Sequence, residues 1–264
     1  MRIVVVALAL TGCGFSPETA QDAATTRADA PPAIDSRPQA DAMPATVQFV
    51  QSATGWANPW NDGASTISAT FAANVAAGDV IALYITYAGG TSIDTITDTL
   101  GNTYAVVDTI DDGGDSQKSS TAYVRSAGGG VGIVTVTFKD SKCCRLVIAH
   151  DLAGADPASP LDGFSSHEDD SPGTQPDDVT SDSMTTKADR DYIFAATSNA
   201  SNESGETITA GTGLSLRVDD VVPSGNPSVS EDRLQATHGA ISSTFTYSKN
   251  GAALTMQIAF KPPT

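Results

Sequence analysis

Both tryptophans of the chain lie in one polar loop, Gly55 to Asp62, which reads Gly-Trp-Ala-Asn-Pro-Trp-Asn-Asp. Aromatic faces beside amides and carboxylates suit sugars, because C–H groups of the sugar ring pack on the π face while its hydroxyls hydrogen-bond to Asn and Asp. The loop therefore predicts a carbohydrate site. The alternative is that both rings fold back and cap the apolar core. The residues predicted to bind the ligand are Trp56, Asn58, Trp60, Asn61 and Asp62.

Dense carboxylates in two other segments predict a calcium site, because calcium is a hard ion that takes oxygen ligands. Residues 108–119 do not form an EF-hand loop, since Ile110 occupies the third position and Ser119 the twelfth. Calcium is the one cofactor that the sequence allows, and the alternative is a solvated acidic rim. The predicted ligands are Asp111, Asp112, Asp115, Glu168, Asp169 and Asp170.

Residues that could support catalysis are few. The three histidines are His150, His167 and His238, and the chain has no Gly-x-Ser-x-Gly, His-Glu-x-x-His or phosphate-binding glycine motif. On a strand, the adjacent His150 and Asp151 would point to opposite faces and could not pair. We therefore predict that the protein is not an enzyme. A hydrolase that uses paired carboxylates on glycans is the alternative.

The adjacent cysteines Cys143 and Cys144 are predicted to be reduced. Neighbouring Cα atoms are about 3.8 Å apart, which is below the usual disulfide span. A strained vicinal disulfide is the alternative. A metal site that also uses His150 lacks the Cys-x-x-Cys spacing typical of such sites.

The sequence pattern predicts that β-strands position all these residues. Residues Ile133 to Phe138 alternate between apolar and threonine side chains, whereas Asp79 to Tyr87 is apolar on both faces, as in a central strand covered on both sides. No amphipathic helix and no repeat of fixed period is evident. The strands predicted are residues 46–54, 66–71, 79–87, 103–110, 118–126, 133–138, 144–152, 191–199, 214–222, 232–238, 241–247 and 254–260.

This pattern predicts an all-β fold for residues 45–264: one two-sheet antiparallel β-sandwich domain, jelly-roll or immunoglobulin-like. Residues 153–191 lack strand periodicity and contain four prolines. We expect them to form a long loop across one end of the sandwich, held by Leu161 packed against the core.

Three motifs resemble a recurrent β-sandwich module of secreted and cell-surface bacterial proteins. They are Gly78-Asp79 before an apolar strand, the turn from Asp98 to Tyr104 (Asp-Thr-Leu-Gly-Asn-Thr-Tyr), and the last strand, Met256 to Pro262. The resemblance covers most of residues 45–264 and implies the fold. It implies no activity, because the family is mainly of unknown function.

The first residues are typical of an export signal: one arginine, eight apolar residues, then Thr11-Gly12-Cys13. Leu10 to Cys13 resembles the lipobox of bacterial lipoproteins. That resemblance implies a signal peptide at 1–12, a diacylglycerol thioether on Cys13 and N-acylation, for example by palmitate. Gly14 in place of Asp favours the outer membrane. The alternative is an ordinary secretory signal with an incidental cysteine.

Residues 13–44 are rich in Ala, Pro and Asp and predict a disordered tether, because they offer little apolar surface to bury. The chain carries a net charge of −17, which excludes nucleic acid and anionic headgroups as favoured partners. Membrane contact is therefore expected through the lipid on Cys13. The sequence favours a surface lipoprotein that displays a module for a polysaccharide or another envelope protein. The alternative is a structural or adhesive lipoprotein without a small ligand.

Overall fold

A computed structural model describes residues 46–57, 65–114, 116–125, 127–169, 176–200, 206–220, 227–249 and 251–264. Within these ranges every regular element is a β-strand, and all strand pairs are antiparallel. The predicted all-β fold class is confirmed. No helix of the described residues has the length and apolarity that crossing a bilayer would require.

The strands are numbered in chain order. They are β1 (Gln48–Ala57), β2 (Thr66–Thr70), β3 (Val80–Ala88), β4 (Ile93–Asp98), β5 (Ala105–Asp111), β6 (Gln117–Val124), β7 (Ile133–Phe138), β8 (Arg145–Ala153), β9 (Leu161–Asp169), β10 (Asp177–Thr180), β11 (Met184–Thr185), β12 (Asp191–Asn199), β13 (Ile208–Ala210), β14 (Ser215–Asp220), β15 (Ser228–Gln235), β16 (Ala240–Ile241), β17 (Thr244–Tyr247) and β18 (Ala253–Phe260).

Two five-stranded sheets form the centre of the molecule. The first large sheet has the order β1-β8-β3-β6-β5, and the second has the order β14-β15-β12-β18-β9. The first small sheet is β2-β7-β4, the second small sheet is β10-β17-β13, and β11 pairs with β16 in a short ribbon.

Apolar side chains between the sheets stack them in four layers: small, large, large, small. Ile67 and Phe138 of the first small sheet pack against the first large sheet, and Tyr84 packs between the two large sheets. On the far side, Phe245 of the second small sheet and Met184 of the ribbon pack against the second large sheet. The predicted packing of antiparallel sheets in a sandwich is therefore confirmed.

The central strands of both large sheets are covered on both faces. All side chains of β12 and β18 are buried, and so are all but the last of β3 and β8. The apolar run Asp79 to Tyr87 is thus the central strand that the sequence predicts. Continuous apolar runs arise here because each face of a large sheet meets another sheet.

The chain follows the same path twice. We call β1–β8 the first repeat and β9–β18 the second repeat. We number the strands of each repeat from one to eight along the chain and leave out the ribbon strands β11 and β16. In both repeats the large sheet then has the strand order 1-8-3-6-5. In both repeats the small sheet has the order 2-7-4. Pairing first with eighth and second with seventh is the nested order of a jelly roll. The sandwich expected from the sequence is therefore present twice.

Irregular positions match between the repeats. In the pairing of first and eighth strands, Val50 of β1 and Asp162 of β9 are the extra residues of β-bulges. In the pairing of fifth and sixth strands, the extra residues are Val107 of β5 and Arg217 of β14. A β-bulge changes the direction and twist of its strand. Bulges at equivalent positions therefore indicate that the repeats share detailed backbone geometry and not only strand order.

Left-handed backbone positions match as well. Gly101 and Gly213, each shortly before the fifth strand, have φ of 74° and 80°. Gly78 and Arg190, each shortly before the third strand, have φ of 97° and 66°. Glycine tolerates this region, whereas an arginine there is held by its surroundings.

The two repeats pack like the halves of an isologous pair. In the contact between the large sheets, β5 lies against β9 and β1 lies against β14. Since β1 corresponds to β9 and β5 corresponds to β14, these two contacts are equivalent. This reciprocity is the property of a two-fold interface.

The expected loop over residues 153–191 is wrong. The segment contains β9, β10 and β11. Strand β9 lies at the edge of the second large sheet, and its side chains, apart from the exposed Phe164, are half-buried on both faces. Its sequence therefore lacks the alternation by which a one-sided strand is recognised. Leu161 does pack against the apolar layer between the large sheets, as predicted.

Candidate functional site

The first repeat has an open cleft of about 470 Å³ between the edge of its small sheet and the uncovered part of its large sheet. Strand β4 forms one wall, and β5, β6 and the end of β3 form the floor. Small-molecule sites typically measure roughly 300–1,000 Å³. The lining residues are Tyr87, Thr91, Ser92, Ile93, Asp94, Thr95, Ile96, Thr103, Tyr104, Val106, Thr109, Lys118 and Ser120.

Strand order explains why this cleft is open. Strand β5 pairs with β6 in the large sheet, so the small sheet has three strands and leaves the outer face of β5 uncovered. Val106 of β5 is consequently 50% exposed and lines the floor of the cleft. Beside it, Ile93 and Ile96 of β4 are only partly buried. The cleft thus combines apolar surface with many hydroxyl groups.

A chain of hydroxyls crosses the floor. The Tyr87 hydroxyl lies 3.2 Å from Ser120 Oγ, which in turn lies 2.8 Å from Thr109 Oγ1. The Tyr87 ring packs against Phe138, with 5.2 Å between ring centroids. The floor hydroxyls are therefore held in place by strand pairing and by the core beneath them.

The rim of the cleft is fixed by Asp98, the first residue of the motif that ends at Tyr104. One Asp98 oxygen accepts the backbone N–H groups of Leu100 and Asn102 at 3.0 Å. The other accepts Asn102 Nδ2 at 2.6 Å and the Tyr104 hydroxyl at 2.8 Å. Burial and the hydrogen bond to Asp98 raise the pKa of Tyr104, so its hydroxyl stays protonated. This motif is therefore a structural turn that presents the Tyr104 ring to the cleft.

The corresponding region of the second repeat is more closed. Strand β13 lies against β14 and β15, and the Gly211 N–H donates to Glu231 Oε2 at 2.9 Å. Glu231 takes the place of Ala122 of the first repeat, as the strand pairing shows. Burial raises the pKa of Glu231 to about 8. In the second repeat a side-chain hydrogen bond thus joins β15 to the end of β13, whereas the buried Ala122 of the first repeat can form no such bond.

A second polar constellation lies between the two large sheets. His150 Nε2 lies 2.8 Å from Ser230 Oγ, and His150 Nδ1 lies 3.3 Å from the Tyr192 hydroxyl. Tyr192 donates to Asp232 Oδ2 at 2.5 Å, and Arg217 Nε donates to the same oxygen at 2.5 Å. Because Tyr192 donates to Asp232, it accepts from Nδ1–H, and Ser230 therefore donates to Nε2. We call these five residues the His150 network.

His150, at the centre of the network, is buried, and its position argues for a structural role. His150 and Ser230 are inaccessible, and the imidazole lies between the rings of Phe49 and Phe194, at 5.1 and 4.4 Å. Burial, with the charge of Arg217, lowers the pKa of His150 to about 3. The imidazole is thus neutral and sealed from solvent, whereas a catalytic group must reach its substrate.

The predicted tryptophan site is described only at Trp56. This residue pairs with Leu146 at the edge of the first large sheet and is 47% exposed. It does not line the first-repeat cleft. The other predicted ligand residues lie outside the described residues: Asn58, Trp60, Asn61 and Asp62.

The two acidic segments approach one another. A side chain at Gly113 would come within 3.9 Å of Glu168 Oε1. The Asp112 carboxylate already accepts the backbone N–H groups of Gly114, Ser116 and Gln117 at 3.0–3.2 Å, and these bonds help to lower its pKa. Asp112 therefore closes its own turn, which leaves it fewer lone pairs for a cation.

Asp111 likewise accepts the Gly113 N–H at 3.0 Å, and Asp169 pairs with Ala253 at the end of β9. In the described part of the chain, no three His, Cys, Asp or Glu side chains are grouped to hold a metal. Asp115 and Asp170 lie outside the described residues, so the calcium site stays a prediction.

The cysteines fall into two groups. Cys143 and Cys144 are half-buried and form no disulfide, and Cys144 has a left-handed φ of 63°. Cys13, predicted to carry the lipid, lies outside the described residues.

Comparison of the chain with protein-family models, curated proteins and solved structures finds no match.

Proposed function

We propose that this chain is a lipid-anchored envelope protein whose first repeat binds a neutral glycan in its cleft, and that it acts by binding and not by catalysis. The observation that supports this most is the composition of the cleft. Hydroxyl side chains can bond to sugar hydroxyls, while Val106 and the Tyr104 ring offer apolar surface to C–H groups.

Charge favours a neutral ligand over an anionic one. The chain carries −17 in total, and this field repels polyanions such as uronic-acid polymers. Within the cleft, Asp94 and Lys118 have opposite charges, so the lining itself attracts neither cationic nor anionic ligands on balance. Recognition would then depend on hydrogen bonds and apolar contact.

The cleft predicts a position-specific effect of Val106→Asp. A carboxylate on the floor would remove apolar contact and hold water molecules that a bound glycan would have to displace. We therefore expect glycan affinity to fall at least ~10-fold, about 1.4 kcal/mol. Binding is measured with the purified protein on an array of neutral and uronic-acid oligosaccharides, followed by calorimetry on any oligosaccharide retained.

Leu216→Asp is the matched control for this experiment. Leu216 occupies the same place on β14 as Val106 on β5, immediately before the equivalent bulge, and is 39% exposed. We expect this variant to bind like the wild type. Equal loss in both variants, or no retained glycan on the array, would reject the cleft as a glycan site.

The lipid anchor predicts the behaviour of Cys13→Ala. Without the thiol no diacylglycerol can be attached. We expect the variant either to leave the membrane fraction as unlipidated protein or to retain its uncleaved signal peptide. Multiple acyl chains anchor firmly, whereas none leaves only weak contact. Fractionation and mass spectrometry of the amino terminus measure this. A variant that stays in membranes with a processed amino terminus would contradict lipidation.

A further inference from the structure

Each repeat has a buried aspartate at the start of its central strand, in contact with a second carboxyl group. Asp79 precedes β3 and lies within hydrogen-bonding reach of Asp151 of β8. Asp191 begins β12 and lies within the same reach of Asp162, the bulge residue of β9. Asp79 and Asp191 occupy equivalent positions, directly after the left-handed residues of their repeats.

Three oxygens of these pairs, both of Asp191 and Oδ1 of Asp151, lack a donor among the described residues. Asp191 is fully buried and neither of its oxygens accepts a hydrogen bond from an N–H or O–H group of the described residues, and the same holds for Asp151 Oδ1. A buried carboxylate without donors is strongly disfavoured. Two carboxyl groups in contact relieve this by sharing one proton, as the neutral member donates to the charged one.

Other charged groups around the second pair do not remove the tendency of its two carboxyl groups to share a proton. Burial chiefly, and then the hydrogen bond and charge of Asp162, raise the pKa of Asp191 to about 8; Lys261 acts in the opposite sense and Asp189 adds a smaller rise. In the first repeat, burial chiefly and then Asp79 raise the pKa of Asp151 to about 6, against a hydrogen bond from the neutral Gln51.

Both pairs are linked to the outer strand of their large sheet, the second directly through Asp162 of β9 and the first through Gln51 of β1. Asp162 Oδ2 accepts the backbone N–H groups of Lys187 and Ala188, the latter at 3.0 Å. In the first repeat Gln51 of β1 donates to Asp151 Oδ2 at 3.0 Å and exchanges two hydrogen bonds with the backbone of Ala73. The strands joined, β1 and β9, are equivalent.

We propose that the two carboxyl pairs are proton-held clasps beside the outer strands of the two repeats, each closed by one shared proton and each loosened when the surroundings become alkaline. The sign follows from linkage: a group whose pKa is raised by folding contributes stability at low pH that is lost as pH rises through its folded pKa. The second clasp therefore loosens near pH 8 and the first near pH 6.

Asp191→Asn tests the second clasp, because its amide can donate to Asp162 at every pH. Stability is lost from the ordinary pKa of 3.8 up to the folded pKa of about 8. We therefore expect the wild-type melting temperature to fall between about pH 4 and 8 and to level off above pH 8, and the variant to lack this fall, with a gain of roughly 3–8 °C at pH 9. Asp79→Asn should give a similar gain that is complete near pH 6. The control is Asp219→Asn, since Asp219 is exposed on β14 and is not among the groups that shift the pKa of Asp191, and it should show no alkaline gain.

Hydrogen exchange locates the opening. The amides of Lys187 and Ala188, which donate to Asp162, should lose protection relative to their intrinsic rates as pH passes 8 in the wild type and keep it in Asp191→Asn. A variant whose melting curve parallels the wild type from pH 6 to 9, or amides whose protection does not change, would overturn the proposal. If Asp191→Asn does not fold, the wild-type protein is enough for the test: protection of these two amides that stays constant across pH 8 would overturn the proposal.

Discussion

Replacing His150 with alanine is expected to lower the free energy of unfolding by about 3–5 kcal/mol at pH 7. The change empties space between the Phe49 and Phe194 rings and removes the partner of Ser230 and Tyr192. Both effects occur at the contact between the two large sheets, where water cannot replace the lost hydrogen bonds. Urea unfolding followed by tryptophan fluorescence measures the change.

His150→Ile separates the polar effect from the lost volume. The equivalent residue of the second repeat is Ile258, so the fold already accepts isoleucine at this place in a sheet. We expect His150→Ile to cost about 1–3 kcal/mol, and the double variant with Ser230→Ala to cost less than the sum, because no buried hydroxyl is then left unpaired. Additive losses would mean that the two side chains do not depend on each other.

The His150 network also shows how the repeats have diverged. Its two-fold counterpart on the other side of the interface has no charged or imidazole group, since Ile258 stands for His150 and Tyr123 for Asp232. There Thr121, which corresponds to Ser230, has a buried hydroxyl without a partner among the described residues. The two sides of the interface are therefore held by different contacts: the His150 network on one side, and on the other apolar packing together with a hydrogen bond of 2.7 Å from Ser166 Oγ of β9 to Asp108 Oδ2 of β5. This difference gives the two repeats a single mutual register.

Much of the fold could be predicted from the sequence, but the duplication could not. Alternation and fully apolar runs identify strands such as β3 and β7, because burial on one or both faces leaves a direct pattern. The repeats share bulges and left-handed positions, which are backbone properties that different residues can adopt. Gly78 corresponds to Arg190, and Ala122 to Glu231, so comparing side chains does not reveal that the paths are the same.

The candidate cleft was missed for a related reason. Its lining comes from four strands, and it exists because β5 pairs with β6 and leaves β4 at the edge of a three-stranded sheet. No local pattern reports which sheet an ambiguous strand joins. The one signal for the cleft in the sequence is Tyr104, which follows the Asp98 turn. Trp56 and its neighbours are the stronger signal, because tryptophans in a polar loop are the more familiar mark of a sugar site.

His150 further predicts how the protein responds to acid. Its folded pKa of about 3 lies below the unfolded value of 6.5, so the unfolded chain takes up a proton that the folded chain refuses. This part of the stability is therefore present above pH 6.5 and is lost as pH falls toward 3. The loss is about 1.4 kcal/mol per pH unit, or ~3 kcal/mol between pH 6.5 and 4. Its sign is opposite to that of the carboxyl clasps, which lose stability as pH rises.

The measurement is the difference in unfolding free energy between wild type and His150→Ile from pH 8 to 4. Carboxylates common to both proteins cancel in this difference, so its slope reports His150 alone. We expect a constant advantage of the wild type above pH 6.5 that declines and reverses in acid. His167→Gln is the matched control, because the His167 side chain is 40% exposed and lies outside the His150 network, and it should leave the acid slope unchanged. A flat difference for His150→Ile would show that the imidazole is protonated within the fold, and the hydrogen-bond assignment of the His150 network would then be wrong.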